Sequence, residues 1–244
     1  MNGTWTIFRR EMGQYLVSPF AYLIAGALLL LTGLYFNADL ALSVTTKPTD
    51  PAVIPNFLAF AMVFFAPLLT MRMLAEESRE GTLELLLTAP VQDSAIVIGK
   101  FLSAWFYFTI ILAITFLYQF ILIVIQPTAT PDFGLGIGAY MGIWLYGGAT
   151  LAVGILFSSL TENQIIAAFL SMTTLVFLWV GDLAGQIVSN LDLARVIRQL
   201  TLQGHFSGSF AVGLLRIEDV AFFAGIIAVM LFITIRIVES HRWR

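Results

Sequence analysis

Few side chains in this sequence are placed to do chemistry. The two histidines, His205 and His241, lie far apart, and neither has a second ligand at metal-binding spacing. The Glu76-Glu77 pair has no histidine partners on the later apolar spans to complete a hydrolytic centre. A Ser–His dyad would have to join Ser207 or Ser209 to His205 within one loop, which is a poor arrangement for an intramembrane protease. The absence of cysteine excludes a disulfide framework, a thiolate metal site and a cysteine nucleophile. No G-x-x-x-x-G-K-[ST] loop exists to cradle ATP phosphates. Asp39, Asp182 and Glu162 fall near the ends of apolar segments, where they read as interfacial residues rather than a proton relay. The expectation is a chain that is not an enzyme, with no catalytic residue, metal or cofactor of its own.

The elements that carry these residues are set by composition. Of 244 residues, 59% are hydrophobic and 11% charged. Soluble domains carry about 25% charged residues, so a soluble enzyme is excluded. Mean hydropathy of +0.91 says the same, and a net charge of −3 gives no case for a nucleic-acid partner. A helix needs about 20 apolar residues to cross a bilayer. Six stretches qualify, at about 20–42, 54–74, 96–125, 135–157, 165–188 and 220–238. The fold class is therefore an all-α integral membrane protein, a single transmembrane domain over 1–244. With the N-terminus inside, the cytoplasmic side holds Arg9, Arg10, Arg72, Arg79, Lys100, Arg236, Arg242 and Arg244, against Lys47, Arg195, Arg198 and Arg216 outside. That bias predicts both termini in the cytoplasm.

Four segments do not span. In residues 1–17, Trp5, Phe8, Met12, Tyr15 and Leu16 share a helical face, with Arg9 flanking it and Arg10 away from it. This reads as an amphipathic helix on the inner leaflet, or simply a tail before the first span. The loop at 75–95 is charged and then apolar, with Leu83, Leu86 and Leu87 at i, i+3, i+4 and Pro90 as the stop. Its exposed leucines need cover from either the membrane interface or a protein partner. The outer stretch at 189–219 keeps helical spacing over Leu193, Val196, Ile197 and Leu200, then breaks at residues 204–210, and reads as short helices capping the outer face. The last four residues form an interfacial anchor. Gly138-x-x-x-Gly142 and Gly181-x-x-x-Gly185 permit close helix contact. These glycine faces and the aromatics Phe57, Phe60, Phe64 and Phe65 are candidates for a dimer contact.

The inner loop is the most specific string. Glu76, then Glu80-Gly81-Thr82-Leu83-Glu84-Leu85-Leu86-Leu87-Thr88-Ala89-Pro90-Val91, then Gly99-Lys100, resembles the type-2 ABC export permeases. His205-Phe206, Phe210, Gly213 and Ile217-Glu218-Asp219-Val220 resemble the approach to the last span in the gliding-motility-type and nitrous-oxide-reductase-maturation-type permeases. The resemblance implies a plasma-membrane permease half of a bacterial or archaeal inner membrane. Such a half pairs with a second permease subunit, identical or homologous, and engages a separate ABC ATPase that holds ATP and Mg. It implies that Glu76, Glu80, Gly81, Thr82, Leu83, Glu84, Leu85, Leu86, Leu87 and Pro90 form the coupling helix against that ATPase. Trp5, Phe8, Arg9, Arg10 and Met12 would belong to the elbow helix at the membrane interface. His205, Phe206, Phe210 and Gly213 would belong to the extracellular cap, where an accessory protein is a further candidate partner. The leading function is ATP-coupled export. A mechanotransmission or scaffold subunit of the same family is the alternative, and an intramembrane protease ranks last.

Overall fold

The computed structural model describes residues 3–43, 50–88, 91–125, 133–187 and 199–241. The amphipathic segment forms α1 (Gly3–Val17), and Ser18 separates it from α2 (Pro19–Ser43). Proline is suited to the first position of a helix, where its missing N–H would have no intrahelical partner. The second apolar stretch forms α3 (Val53–Thr70), which contains Pro67. The inner loop folds into two short helices, α4 (Ala75–Arg79) and α5 (Thr82–Thr88), joined at Gly81 with φ +71°. The long third stretch is divided at Phe116 into α6 (Asp93–Thr115) and α7 (Leu117–Ile125). There follow α8 (Phe133–Leu160), α9 (Gln164–Ile187), α10 (Leu202–Gly208), a 3-10 turn at Phe210–Val212 and α11 (Ile217–His241). No strand occurs among the described residues.

Six helical segments are long and apolar enough to cross a membrane: Pro19–Leu42, Val53–Arg79, Asp93–Ile125, Gly134–Leu160, Gln164–Leu183 and Ile217–His241. The chain is a multi-pass integral membrane protein. Two of the spans form the centre: α8 is 72% buried and α3 67%, against 17% for α9 and α11. The outlying helices keep large apolar residues such as Leu23, Leu30, Phe169, Phe177 and Phe232 on the surface, as a lipid-facing wall requires.

Without a hydrophobic force between helices in lipid, close packing needs small residues, and α8 supplies them. A Cβ on Gly142 would lie 2.3 Å from Phe210 Cβ, one on Gly147 2.2 Å from a Phe108 ring carbon, and one on Gly154 2.1 Å from Thr70 Oγ1. Gly138 abuts Gly213, which turns the chain at φ +78°. These contacts correct the expectation of a dimer face at Gly138-x-x-x-Gly142, because both glycines are used within the chain. Among the aromatics of α3, Phe57 stacks on Tyr35 and Phe60 packs on Trp179, while Phe60 and Phe64 remain 42% and 36% exposed.

The glycine packing makes a direct prediction. Gly142→Ala should lower unfolding stability by about 1–3 kcal/mol, the usual cost of overpacking. Gly225→Ala, where the new Cβ meets nothing within 4 Å, should stay within about 0.5 kcal/mol of wild type. Thermal or denaturant unfolding in detergent compares the two.

Candidate functional site

The end of the bundle that carries α1, α4 and α5 is built on a close approach of α1 to α6. Gly3, Ile7 and Glu11 recur at i, i+4 and i+8 and so form one stripe of α1. A Cβ on Gly99 would sit 2.8 Å from Ile7 Cβ, and one on Gly3 would sit 2.8 Å from a Val91 methyl. Gly99 therefore admits α1 only as glycine, and Gly3 sets the chain just before α6 against the start of α1. One residue beyond Gly99, Lys100 lies under Glu11.

Lys100 is 1% exposed and Glu11 4%. The ammonium Nζ donates to Glu11 Oε1 at 3.0 Å and lies 2.9 Å from Glu77 Oε1. Arg10 donates from Nη2 to the same two carboxylates, at 2.7 Å to Glu77. Burial opposes the charge on Arg10, but Glu11 and Glu77 outweigh it and hold the guanidinium above its ordinary value. Two cations and two carboxylates thus join α1, α4 and α6 in one cluster. Beside it, Tyr15 donates to Leu69 O at 2.8 Å, tying α1 to the end of α3 as well.

The α3–α4 joint is fixed from a different helix. Helix α4 has no side-chain cap of its own. Ser158, near the end of α8, accepts from Leu74 N and Ala75 N at 3.1 Å each and donates to Met71 O at 3.0 Å. A single hydroxyl so satisfies donors that the start of a helix leaves open. Glu76 turns back to Arg72, which donates Nε and Nη2 to it at 2.9 and 2.8 Å. Leu83 is buried at 5%, and Leu86 packs against the chain's own core. What the α4–α5 turn offers outward is Arg79, Glu80, Gly81 and Glu84, all exposed, with Thr82 half-buried.

This alters the expectations for the loop. The apolar face of α5 is not free for a partner at Leu83, because the bundle covers it. Of the other residues expected at the coupling surface, Pro90 and the side chains of Leu85 and Leu87 lie outside the described residues. On α1, the expected face of Trp5, Phe8, Met12, Tyr15 and Leu16 is split: Met12 is buried, while Trp5 and Leu16 are exposed. Arg9 is exposed, and Arg10, expected to point away from the packing, reaches Glu77. Glu11 and Glu77 were missed as site residues. The available signal was the Gly3-Ile7-Glu11 spacing, which puts a carboxylate in line with two packing positions.

The opposite end holds the cap. Phe206 and Phe210 are fully buried, and both meet the aromatic group of Tyr146 and Phe223. His205 lies against Phe222 at 3.7 Å between ring centroids, with Nδ1 2.6 Å from Asp219 Oδ1 and Nε2 2.9 Å from Gln199 O. The ring of His205 therefore links α10 to α11. Ser209 donates to the His205 backbone carbonyl, Ser207 Oγ has no partner among the described residues, and both ring nitrogens of His205 are engaged elsewhere, so neither serine forms a dyad with it. Asp182, read as interfacial, is buried at 2%. The expected cap residues 189–198 other than these, including Leu193, Val196 and Ile197, and the last three residues of the C-terminal anchor lie outside the described residues. No group of three metal-ligating side chains occurs among the described residues.

An apolar six-span bundle with a charged, internally braced turn at one end and an aromatic cap at the other is the architecture of a multi-pass membrane protein. The family model for the ABC-2 family transporter protein matches residues 34–237, and this chain belongs to that family. No curated protein matches it. Membership implies in general an ABC ATPase partner and a membrane dimer.

Breaking a buried ion pair by removing one partner costs about 3–5 kcal/mol, because the other charge is left uncompensated. Lys100→Met should lose about that much stability. Glu11→Leu/Lys100→Met removes both buried charges and leaves Arg10 with Glu77, so it should recover a large share of the loss. The unfolding midpoints of the two single variants and the double variant, combined as a cycle, measure that non-additivity.

Proposed function

We propose that this chain is the permease subunit of an ATP-binding cassette exporter, converting ATP hydrolysis on a separate ATPase subunit into substrate translocation across the plasma membrane. The observation that carries the reading is the Glu11–Lys100–Glu77 cluster, with Arg10. A push on the α4–α5 turn is not absorbed by the turn. It passes through Glu77 to Lys100 and span α6, through Glu11 to α1, and through the Ser158 hydroxyl to α8. The contacting surface is Glu80, Gly81 and Glu84. Charge complementarity there sets partner choice and register more than raw affinity. ATP and Mg belong to the ATPase, and a second permease subunit completes the pathway. The α1 and α4–α5 end, with both termini, faces the cytoplasm, and the His205–Asp219 cap faces outside.

Two experiments test this reading. Glu80→Lys/Glu84→Lys should insert and fold normally, yet lose the ATPase on pull-down by about tenfold or more, as reversed charges at a complementary interface do. Wild-type recovery of the ATPase would remove the coupling assignment. The chain has no natural cysteine, so single cysteines report topology directly. Arg216→Cys should react with an impermeant maleimide on intact cells, and Glu84→Cys should react only after permeabilisation. The reverse pattern would invert the orientation.

A further inference from the structure

Both ring nitrogens of His205 meet oxygens that accept hydrogen bonds. Nδ1 lies 2.6 Å from Asp219 Oδ1, and Nε2 lies 2.9 Å from the Gln199 carbonyl oxygen. A neutral imidazole has one N–H and one acceptor nitrogen, so it donates to one of these oxygens and turns a lone pair toward the other. A backbone carbonyl has no proton to give. Both contacts are therefore hydrogen bonds only when the His205–Asp219 pair holds one proton more than a neutral ring and a carboxylate do. That proton belongs to the pair, whichever heavy atom carries it.

The surroundings favour the extra charge. The ring of His205 lies flat against Phe222, with centroids 3.7 Å apart and an interplanar angle of 21°, and the face of an aromatic ring attracts a cation. Asp219 is 7% exposed, and its Oδ2 has no hydrogen-bond partner among the described residues. The imidazolium is the charge that compensates this carboxylate, and a buried carboxylate left alone is costly. Other charged groups on the surrounding elements are few. Glu218 of α11 and Arg216 before it are both exposed, and α9 carries Asp182. Helix α8 and the 3-10 turn carry none, and Tyr146 is the titratable group that α8 sets against the cap. Histidine is the side chain whose unperturbed charge change falls between about pH 5 and 8, and the other histidine, His241, ends α11 at the far side of the bundle. The two contacts of the ring hold different things. Gln199 lies two residues before Thr201, whose hydroxyl caps α10 by accepting from Gly204 N. The Nε2 contact thus fixes the chain where it enters α10, and the Nδ1 contact ties α10 to α11. Phe206 and Phe210, which hold the rest of the cap, do not titrate.

We propose that His205 is a pH-sensitive latch of the cap. With the pair protonated, both contacts are made and the entry to α10 is held. When the proton leaves, the remaining N–H stays with the charged Asp219, and the Nε2 lone pair faces the Gln199 carbonyl. The entry to α10 is then released, while the buried phenylalanines keep α10 in place. The latch is closed at low pH and opens as pH rises. Which side of the membrane sets that pH rests on the orientation given above; the latch itself does not.

The full chain in mild detergent, with both ends open to the buffer, tests this between about pH 5.5 and about pH 8.5. The chain has two histidines, so 15N-histidine labelling and the variant His241→Gln assign the ring signals of His205. Both ring nitrogens should carry protons at the acid end, and Nε2 should lose its own as pH rises. Over the same interval, hydrogen–deuterium exchange at residues 199–204, corrected for the intrinsic rate, should speed up by about tenfold or more, the scale of a lost hydrogen bond to a charged group. Exchange in α8 should stay constant. His205→Gln should make exchange at 199–204 independent of pH, and His241→Gln should leave the dependence as in wild type. Wild-type exchange at 199–204 that does not change with pH overturns the proposal. So does a pH dependence that survives in His205→Gln, a ring that is singly protonated at the acid end, or a neutral ring that keeps its proton on Nε2.

Discussion

Everything at the α1 end of this protein depends on burying Lys100 with its two carboxylates. An ammonium at 1% exposure is costly to bury unless it is paired. Pairing it requires Glu11 and Glu77 at contact distance, and those two residues lie on separate elements. Helix α1 must therefore lie against α6 with Gly3, Ile7 and Glu11 inward, and α4 must follow α3 at a set angle. A buried ion pair contributes little net stability compared with a well-packed apolar replacement. Its value here lies in specificity, because only one arrangement of the three helices satisfies all four charges of the cluster.

The remaining contacts act on the same geometry by other means. Pro67 lies close to the end of α3, and the chain turns four residues later. Left alone, that turn would leave backbone donors unsatisfied in a buried setting. Ser158 closes it from α8, the most buried span, so the turn is referenced to the centre of the bundle. The glycines of α8 then hold α3, α6 and the cap residue Phe210 at backbone distance. Ion pairs and one hydroxyl connect the α3–α4–α5 segment to α1, α6 and α8. The cap has its own lock, made of buried phenylalanines and the His205–Asp219 contact.

The sequence by itself determined the membrane class, the six spans and the helical spacing of the inner loop. These follow from apolar run length, charge scarcity and side-chain periodicity, all of which are local. The family resemblance also brought out the cap residues: the fold packs Phe206 and Phe210 against Tyr146 and Phe223, stacks His205 on Phe222 and sets Gly213 against Gly138. Only the tertiary structure decided which charges meet. Glu11 and Lys100 are 89 positions apart, and no periodicity connects them. It also decided which apolar faces are internal. In a membrane chain, a leucine facing lipid and a leucine facing protein give the same pattern, so Leu83 read as an open face although the bundle buries it. The glycines of α8 were equally ambiguous, since small residues serve contacts within a chain and between chains alike.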